Sequence, residues 1–227
     1  MTIIDFNKFS HNYSQFLNAS IKISGEREEY FDKYKLNCLK QWVIGGDEAL
    51  NILDFGCGLG RLTRLLAESF PKSKVTGYDI SFESLKEARE RKIDIGNLRF
   101  IEHLPTSESQ HIIIVANVFH HILPQERTSI LSKLKSIMKP EGKIVVFEHN
   151  PLNPLSRRVV KNCPYDADAQ MVWPEPFKKM VERCGLKVIH KCYIVFFPRF
   201  LKFLRGIEPY LGFLPFGAQY FFILGRS

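Results

Sequence analysis

The sequence predicts an α/β fold built on a mostly parallel sheet, and two observations carry this. Strand-like segments alternate with segments of helical periodicity along most of the chain, the pattern of strands joined by helical crossovers. One of the strands, "HIIIVANVF" (111–119), is an apolar run rich in β-branched residues. That composition fits a strand covered on both faces.

Taken in order, residues 26–44 read as a helix, with Tyr30, Tyr34, Leu36, Leu39 and Val43 spaced near a turn apart. "NILDF" (51–55) is a first strand, and "RLTRLLAESF" (61–70) is a helix stopped by Pro71. "KVTGYDI" (74–80) is a second strand. "SFESLKEARERKI" (81–93) is a helix with Ser81 as N-cap. "LRFIEH" (98–103) is a short third strand, and 111–119 is the fourth. "QERTSILSKLKSIM" (125–138) is a helix ended near Pro140, and "GKIVVFEH" (142–149) is a fifth strand. "PEPFKKMVERCG" (174–185) is a helix opened by proline and closed by glycine. "LKVIHKCYIVFF" (186–197) and "AQYFFILGR" (218–226) are two late strands. Residues 151–172, rich in Pro and Asn and then acidic, break the alternation. They read as an insertion over the carboxyl edge of the sheet, where open α/β sheets bind ligands.

The 227 residues suit one domain, and 45% hydrophobic content supplies a core. Five cysteines lie scattered, with neither CxxC nor Cys/His ligand spacing, which argues against structural zinc and against a disulfide scaffold. The opening "MTIIDFNKFSHNYSQ" has no basic flank followed by an apolar stretch, and no window holds eighteen consecutive apolar residues. A cytoplasmic protein without a transmembrane segment is therefore expected. Charge is uneven: residues 151–227 hold 12 Lys+Arg against 5 Asp+Glu, a net of +7, while residues 1–150 are at +1. A basic end points to an anionic partner, or to a basic surface with no ligand.

Three glycines follow the first strand at alternate positions in "NILDFGCGLG". A P-loop would need a Lys-Ser or Lys-Thr after them, which is absent. A dinucleotide fingerprint would need its third glycine one residue later, where Arg61 stands. Asp54, two positions before Gly56, would repel a pyrophosphate and suits a cationic or hydrogen-bond-donating ligand. Asp79, at the end of the second strand, stands where an acid commonly receives ribose hydroxyls. A ligand with ribose, adenine, ammonium and sulfonium but no phosphate meets these terms, and S-adenosyl-L-methionine is such a molecule.

Here the chain resembles the class I S-adenosylmethionine-dependent methyltransferases. "ILDFGCGLG", "VTGYDIS", "VANVFHHI" and "LKSIMKPEGKIVVFEH" are similar to four of that family's motifs, in order and at matching spacing over roughly residues 50–150. The resemblance implies a Rossmann-like, seven-stranded sheet of order 3-2-1-4-5-7-6 with helices on both faces. It implies a single domain over 1–227, with a helical lid at 1–45 and a substrate-side insertion at 151–172. It further implies that the turn of Gly56, Cys57, Gly58 and Gly60 receives the methionine part, with Asp54 supporting the turn or the ammonium. Asp79 would take the ribose hydroxyls and Ile80 would pack on the adenine. Glu102 and His103 would lie near the adenine amine, and the backbone of Asn117 near the methionine end. Lys35 is a candidate for the cofactor carboxylate, the other reading being a solvated helix charge. The loop before the fourth strand, "SESQHIII", departs from the family pattern in lacking an acid there.

Methyl transfer needs alignment of nucleophile and methyl group and, for a hydroxyl, a base. Candidates at the ends of strands four and five are His120, His121, Glu148 and His149, with His120 and His149 preferred. Adjacent His120 and His121 are expected to point different ways. With Ala116 and Asn117 closing strand four, no acid cluster marks a metal site, and no metal is expected. "ANVFHH" also lacks the Asn/Asp-Pro-Pro-Tyr motif of enzymes that methylate adenine bases or glutamine side chains. Arg157, Arg158, Lys161 and Tyr165 could hold an anionic or sugar-like substrate, and Asp166 and Asp168 could bind hydroxyls or an amine; the other reading of all six is surface charges and caps. "FFPRFLKFLRGIEPYLGFLPFGAQYFF" (196–222) interleaves aromatics with Arg and Lys. It reads as core strands with a covering helix, as a wall for a lipid-linked or aromatic substrate, or as a membrane-surface contact. The expected function is methylation of a small molecule at oxygen or nitrogen, of the sugar or natural-product type. The alternatives are an RNA methyltransferase, disfavoured because no separate RNA-binding domain fits the length, and a non-catalytic adenosylmethionine-binding protein.

Overall fold

A computed structural model describes residues 13–46, 48–91 and 95–227. The opening residues read for a targeting signal, and the first part of the expected lid, lie outside these. The elements are α1 (Tyr13–Ile21), α2 (Glu28–Trp42), β1 (Asn51–Phe55), α3 (Arg61–Ser69), β2 (Lys74–Tyr78), α4 (Phe82–Glu90), β3 (Leu98–Ile101), β4 (Gln110–Ala116), α5 (Pro124–Ile137), β5 (Met138–His149), α6 (Pro154–Asn162), α7 (Pro174–Arg183), β6 (Leu186–Ile194) and β7 (Gln219–Arg226). The seven strands form one sheet in the order β3-β2-β1-β4-β5-β7-β6, with β7 antiparallel to both of its neighbours. The predicted strand order is the one observed.

Side-chain alternation divides the core into two layers. Leu53, Ile113, Val115, Ile144 and Val146 meet Leu131 and Leu134 of α5 and Phe177 and Val181 of α7 on one face. Ile52, Ile112, Ile114, Val145 and Phe147 meet Leu36 and Leu39 of α2 and Leu62 and Leu66 of α3 on the other. Each central strand is thus apolar on both sides, as the β-branched run of β4 predicts. Ser81 caps α4 by accepting from the Ser84 amide at 3.2 Å.

Parallel register brings the carboxyl ends of β1, β2, β4 and β5 to one edge, with Phe55 opposite Tyr78 and Val115, and Ala116 opposite Phe147. Departures from the sequence reading cluster there. β4 stops at Ala116 and not at 119, because Asn117 takes a left-handed φ of 57° and a 3-10 turn follows at Phe119–His121. β6 stops at Ile194, where Val195 has φ 61°. At the opposite edge, β5 begins at Met138, four residues before the expected start. Residues 151–172 are not irregular throughout. Asn153 caps α6 through the Ser156 amide at 3.0 Å, with Pro154 in the first turn. A 3-10 turn follows at Pro164–Asp166, and α1 packs against both.

Candidate active site

The glycine turn leaves β1 with the Gly56 and Cys57 amides donating to the Tyr78 carbonyl at 2.7 and 2.9 Å. Gly56 has φ +75°, and a Cβ there would lie 2.5 Å from Val118 Cγ2, so only glycine fits. Gly58, at φ +51°, faces open space, with no heavy atom within 4 Å of a would-be Cβ. Gly60 stands at the start of α3 beside Phe100. Asp79 accepts from the Gly58 amide through Oδ2 at 2.7 Å and from the Ser81 amide through Oδ1 at 2.8 Å. Burial raises its pKa against these amide bonds. A carboxylate has about four lone-pair directions, so acceptor capacity remains for two hydroxyls. Ile80, 84% exposed, stands bare beside it.

Asp54 is buried and accepts from Thr63 Oγ1 at 2.7 Å, a bond that ties β1 to α3. Burial pushes its pKa up to about 7. Lys35 is not a solvated helix charge. It is 4% exposed, 3.9 Å from Asp32 Oδ1, and within electrostatic range of Asp54 and Glu148. Burial lowers its pKa. Arg61 fixes α2 in this position by pairing with Glu28 at 2.7 Å and Asp32 at 3.0 Å. The Asn117 amide donates to the Phe147 carbonyl at 2.9 Å. Its Oδ1 is buried with no partner among the described residues. A buried unpaired acceptor on a strained residue marks a place where a ligand donor is awaited. Glu102 and His103 stand exposed after β3, and Glu102 is engaged by Arg89 at 2.9 Å on the α4 side. The open space at Gly58, the acceptors on Asp79 and the orphan oxygen of Asn117 fit a ribosylated, ammonium-bearing ligand.

Next to this half lies a cluster of ionisable groups. His120 is 3% exposed. Its Nδ1 meets Glu148 Oε2 at 2.6 Å and its Nε2 lies 3.4 Å from Asp166 Oδ1. Glu148, wholly buried, also accepts from the Phe119 amide at 2.7 Å. Burial disfavours the His120 cation, but Glu148 and Asp166 outweigh it and lift the pKa to about 10. Burial would raise Glu148, and His120 pulls it below the usual range. His121 Nε2 lies 3.3 Å from the same Asp166 oxygen and its Nδ1 3.9 Å from Asp168. The expectation that His120 and His121 diverge fails. In the 3-10 turn the two rings sit 4.1 Å apart, and Asp166 is close to both Nε2 atoms. The His149 ring is 5.2 Å from His120. Burial first, then the His120 charge, depress His121 and His149 to about 4.

Both nitrogens of His120 face carboxylates, Glu148 at Nδ1 and Asp166 at Nε2, an arrangement that favours its charged form over the role of base expected of it. Tyr165 is a core residue, 4% exposed and against Phe16, and not a substrate contact. Sequence reasoning missed that Asp166 completes the His120–Glu148 pair; a lone acid in a loop gave no sign of its partner. His120, His121 and Asp166 place three donor atoms within 4.8 Å, a set able to hold a transition ion, where the sequence had pointed to none. Beyond Asp166 a cleft of about 690 Å³ opens, lined by Arg157, Arg158, Lys161 and Met171.

The glycine turn and the ionisable cluster lie at the carboxyl edge of a doubly wound sheet, the edge where such sheets bind ligands. Residues 53–144 match a protein family described as a methyltransferase domain. The chain is 26% identical over 184 residues to trans-aconitate 2-methyltransferase of Mycobacterium ulcerans, covering 74% of this chain and 66% of that one. It is 25% identical over 154 residues to malonyl-[acyl-carrier protein] O-methyltransferase of Halalkalibacterium halodurans, covering 64% and 54%. The chain thus spans between about half and two thirds of these relatives. The fold superposes on magnesium protoporphyrin IX methyltransferase of Synechocystis, solved with bound SAH, at a TM-score of 0.67, with 17% identity and coverage of 98% and 96%. The methyltransferase-domain match covers residues 53–144, and at this level of identity the solved methyltransferases share the fold of the chain.

The cluster sets how stability depends on pH. With a folded pKa of about 10 against 6.5, His120 stabilises fully below pH 6.5, and this is lost as pH rises through 10. His121 and His149, near 4, act oppositely: their contribution is present above 6.5 and lost as pH falls through 4. The thermal midpoint should therefore peak near pH 6.5 in a calorimetric pH series, and His120→Gln should flatten the alkaline limb. An unchanged limb in that variant would contradict the charge assignment.

Proposed function

We propose that the protein transfers a methyl group from S-adenosyl-L-methionine to an oxygen or nitrogen of a small anionic molecule. The observation that supports this is the meeting, at one edge of the sheet, of the glycine turn and Asp79 with a histidine–carboxylate cluster and a basic cleft. When bound, the cofactor supplies a methyl carbon made electrophilic by its sulfonium. Asp79 receives the ribose hydroxyls, Ile80 packs on the adenine, and the Gly56–Gly60 turn with Asn117 receives the methionine end. Lys35, a buried amine, faces the cofactor carboxylate. Residues 13–45 form the helical cover on this side, and residues 151–172 the substrate side.

Arg157, Arg158 and Lys161 hold the anionic substrate in the cleft. The names of the relatives, which specify trans-aconitate and malonyl-[acyl-carrier protein], agree with a non-nucleic-acid substrate. Alignment of nucleophile and methyl group supplies about 7–11 kcal/mol of the barrier reduction. His149 would take the acceptor's proton. Burial first, and then the His120 charge, keep His149 neutral above about pH 4. His120 remains a fixed cation that holds Glu148 and Asp166 in place.

Three outcomes are expected. Asp79→Ala should weaken adenosylmethionine binding by about tenfold or more in calorimetry, since two charge-assisted hydrogen bonds go with it; equal affinity would remove the ribose assignment. His149→Ala should slow methyl transfer by about a hundredfold or more without changing cofactor affinity. It is to be read with labelled methyl donor and an acceptor found by screening small acids; wild-type rates would retire it as base. Dialysis against a chelator should leave the rate unaltered, and rescue by added Zn²⁺ or Mn²⁺ after loss would reassign His120, His121 and Asp166 as ligands.

A further inference from the structure

We propose that residues 199–216, with the start of α6, form a surface that docks on an anionic lipid bilayer. Phe200, Phe203, Tyr210, Phe213 and Phe216 are between 66% and 77% exposed, all on one segment. Soluble surfaces carry single exposed apolar residues freely, but a run of five rings marks a contact surface. The rings are not exposed through loose anchoring. Glu208, buried beneath them, accepts from Tyr34 Oη at 2.6 Å and from the Phe196 and Phe197 amides at 3.1 and 2.9 Å. Arg205 turns inward to Glu26 at 2.8 Å and lies over the Tyr30 ring. The one acid of residues 196–217 and one of its three cations are thus spent on the fold. What faces outward is the rings, Arg199 and Lys202, with no exposed acid among them.

The surface continues onto α6. Asn153 Nδ2 donates to the Phe216 carbonyl at 2.6 Å, and Leu152 and Leu155, 47% and 50% exposed, stand on either side. Arg157, Arg158 and Lys161 follow, exposed, on the wall of the cleft that leads to Asp166. Aromatic residues to insert and Lys/Arg to meet headgroups form the interfacial pattern. A protein–protein interface core is instead depleted of lysine. The lipid contact stands by itself. That it lets the cleft draw an acceptor held at the bilayer rests on the reading of the cleft as the substrate entrance.

The test is co-sedimentation of the full chain with phosphatidylcholine vesicles, with and without phosphatidylglycerol. Binding should be about tenfold stronger with the anionic lipid and should weaken as salt rises. Phe203→Ser with Phe213→Ser should lower partitioning by about tenfold at unchanged thermal midpoint and unchanged adenosylmethionine affinity. Lys202→Glu should remove most of the anionic preference. Failure of the wild-type chain to bind anionic vesicles overturns the proposal. So does sedimentation equilibrium showing a dimer that the two Phe variants dissolve, which would give the face to a second copy. Vesicle binding by a chain that transfers no methyl group would leave this inference standing and remove only the catalytic one.

Discussion

One buried histidine organises the carboxyl edge of the sheet around β4 and β5. The His120 imidazolium is held between Glu148, at the tip of β5, and Asp166, delivered by the turn after α6. Removing one partner from such a buried pair costs about 3–5 kcal/mol, because the remaining charge is left without compensation. The same carboxylate that meets His120 also takes the Phe119 amide, so the path of the chain out of β4 depends on Glu148 as well. Three segments far apart in sequence are thereby set in a common frame, and the left-handed kink at Asn117 is held inside it. The charge also depresses the basicity of its neighbours, which separates a fixed cation from imidazoles kept neutral.

The cofactor side is organised by different means. There the backbone does most of the work: two amides on the Tyr78 carbonyl fold the glycine turn back over β2, and the Gly58 amide orients Asp79. Lys35 joins the two halves. It comes from α2, which Arg61 fastens to α3, and it lies within reach of the fields of Asp54 and Glu148 alike. Asp32 at 3.9 Å and the fields of Asp54 and Glu148 offset part of the cost of burying this amine.

Much of the fold was legible because the alternation of Ile112, Ile113 and Ile114 between two apolar layers is a local signal that burial only confirms. The glycine turn and Asp79 were legible for the same reason, each lying beside a strand end. The bend after Ala116 was hidden. A β-branched run continues through Val118, and nothing in its propensity shows that Asn117 turns left-handed. Helix α6 was hidden behind its own start signal, since an N-cap asparagine and a first-turn proline read equally as loop residues. Asp166 was named only as a possible hydroxyl or amine ligand. Its pairing with His120 depends on tertiary packing of α1 against the turn that carries it, which no window of sequence contains. Lys35 was undecided for a related reason: helical periodicity gives the face of a residue, but not what that face will meet.

The hinge between β5 and α6 carries a property of chemical durability. Asn150 donates to the carbonyls of Pro215 and Gly217, and Asn153 donates to that of Phe216, so two amide side chains hold the later segment in place. Asparagine side chains age by attack of the following backbone nitrogen, which expels ammonia through a cyclic imide. Here the following residues are Pro151 and Pro154, whose ring nitrogens carry no hydrogen to give up. The two ties that could fail by slow deamidation are therefore protected from it by the residue that comes next in the chain.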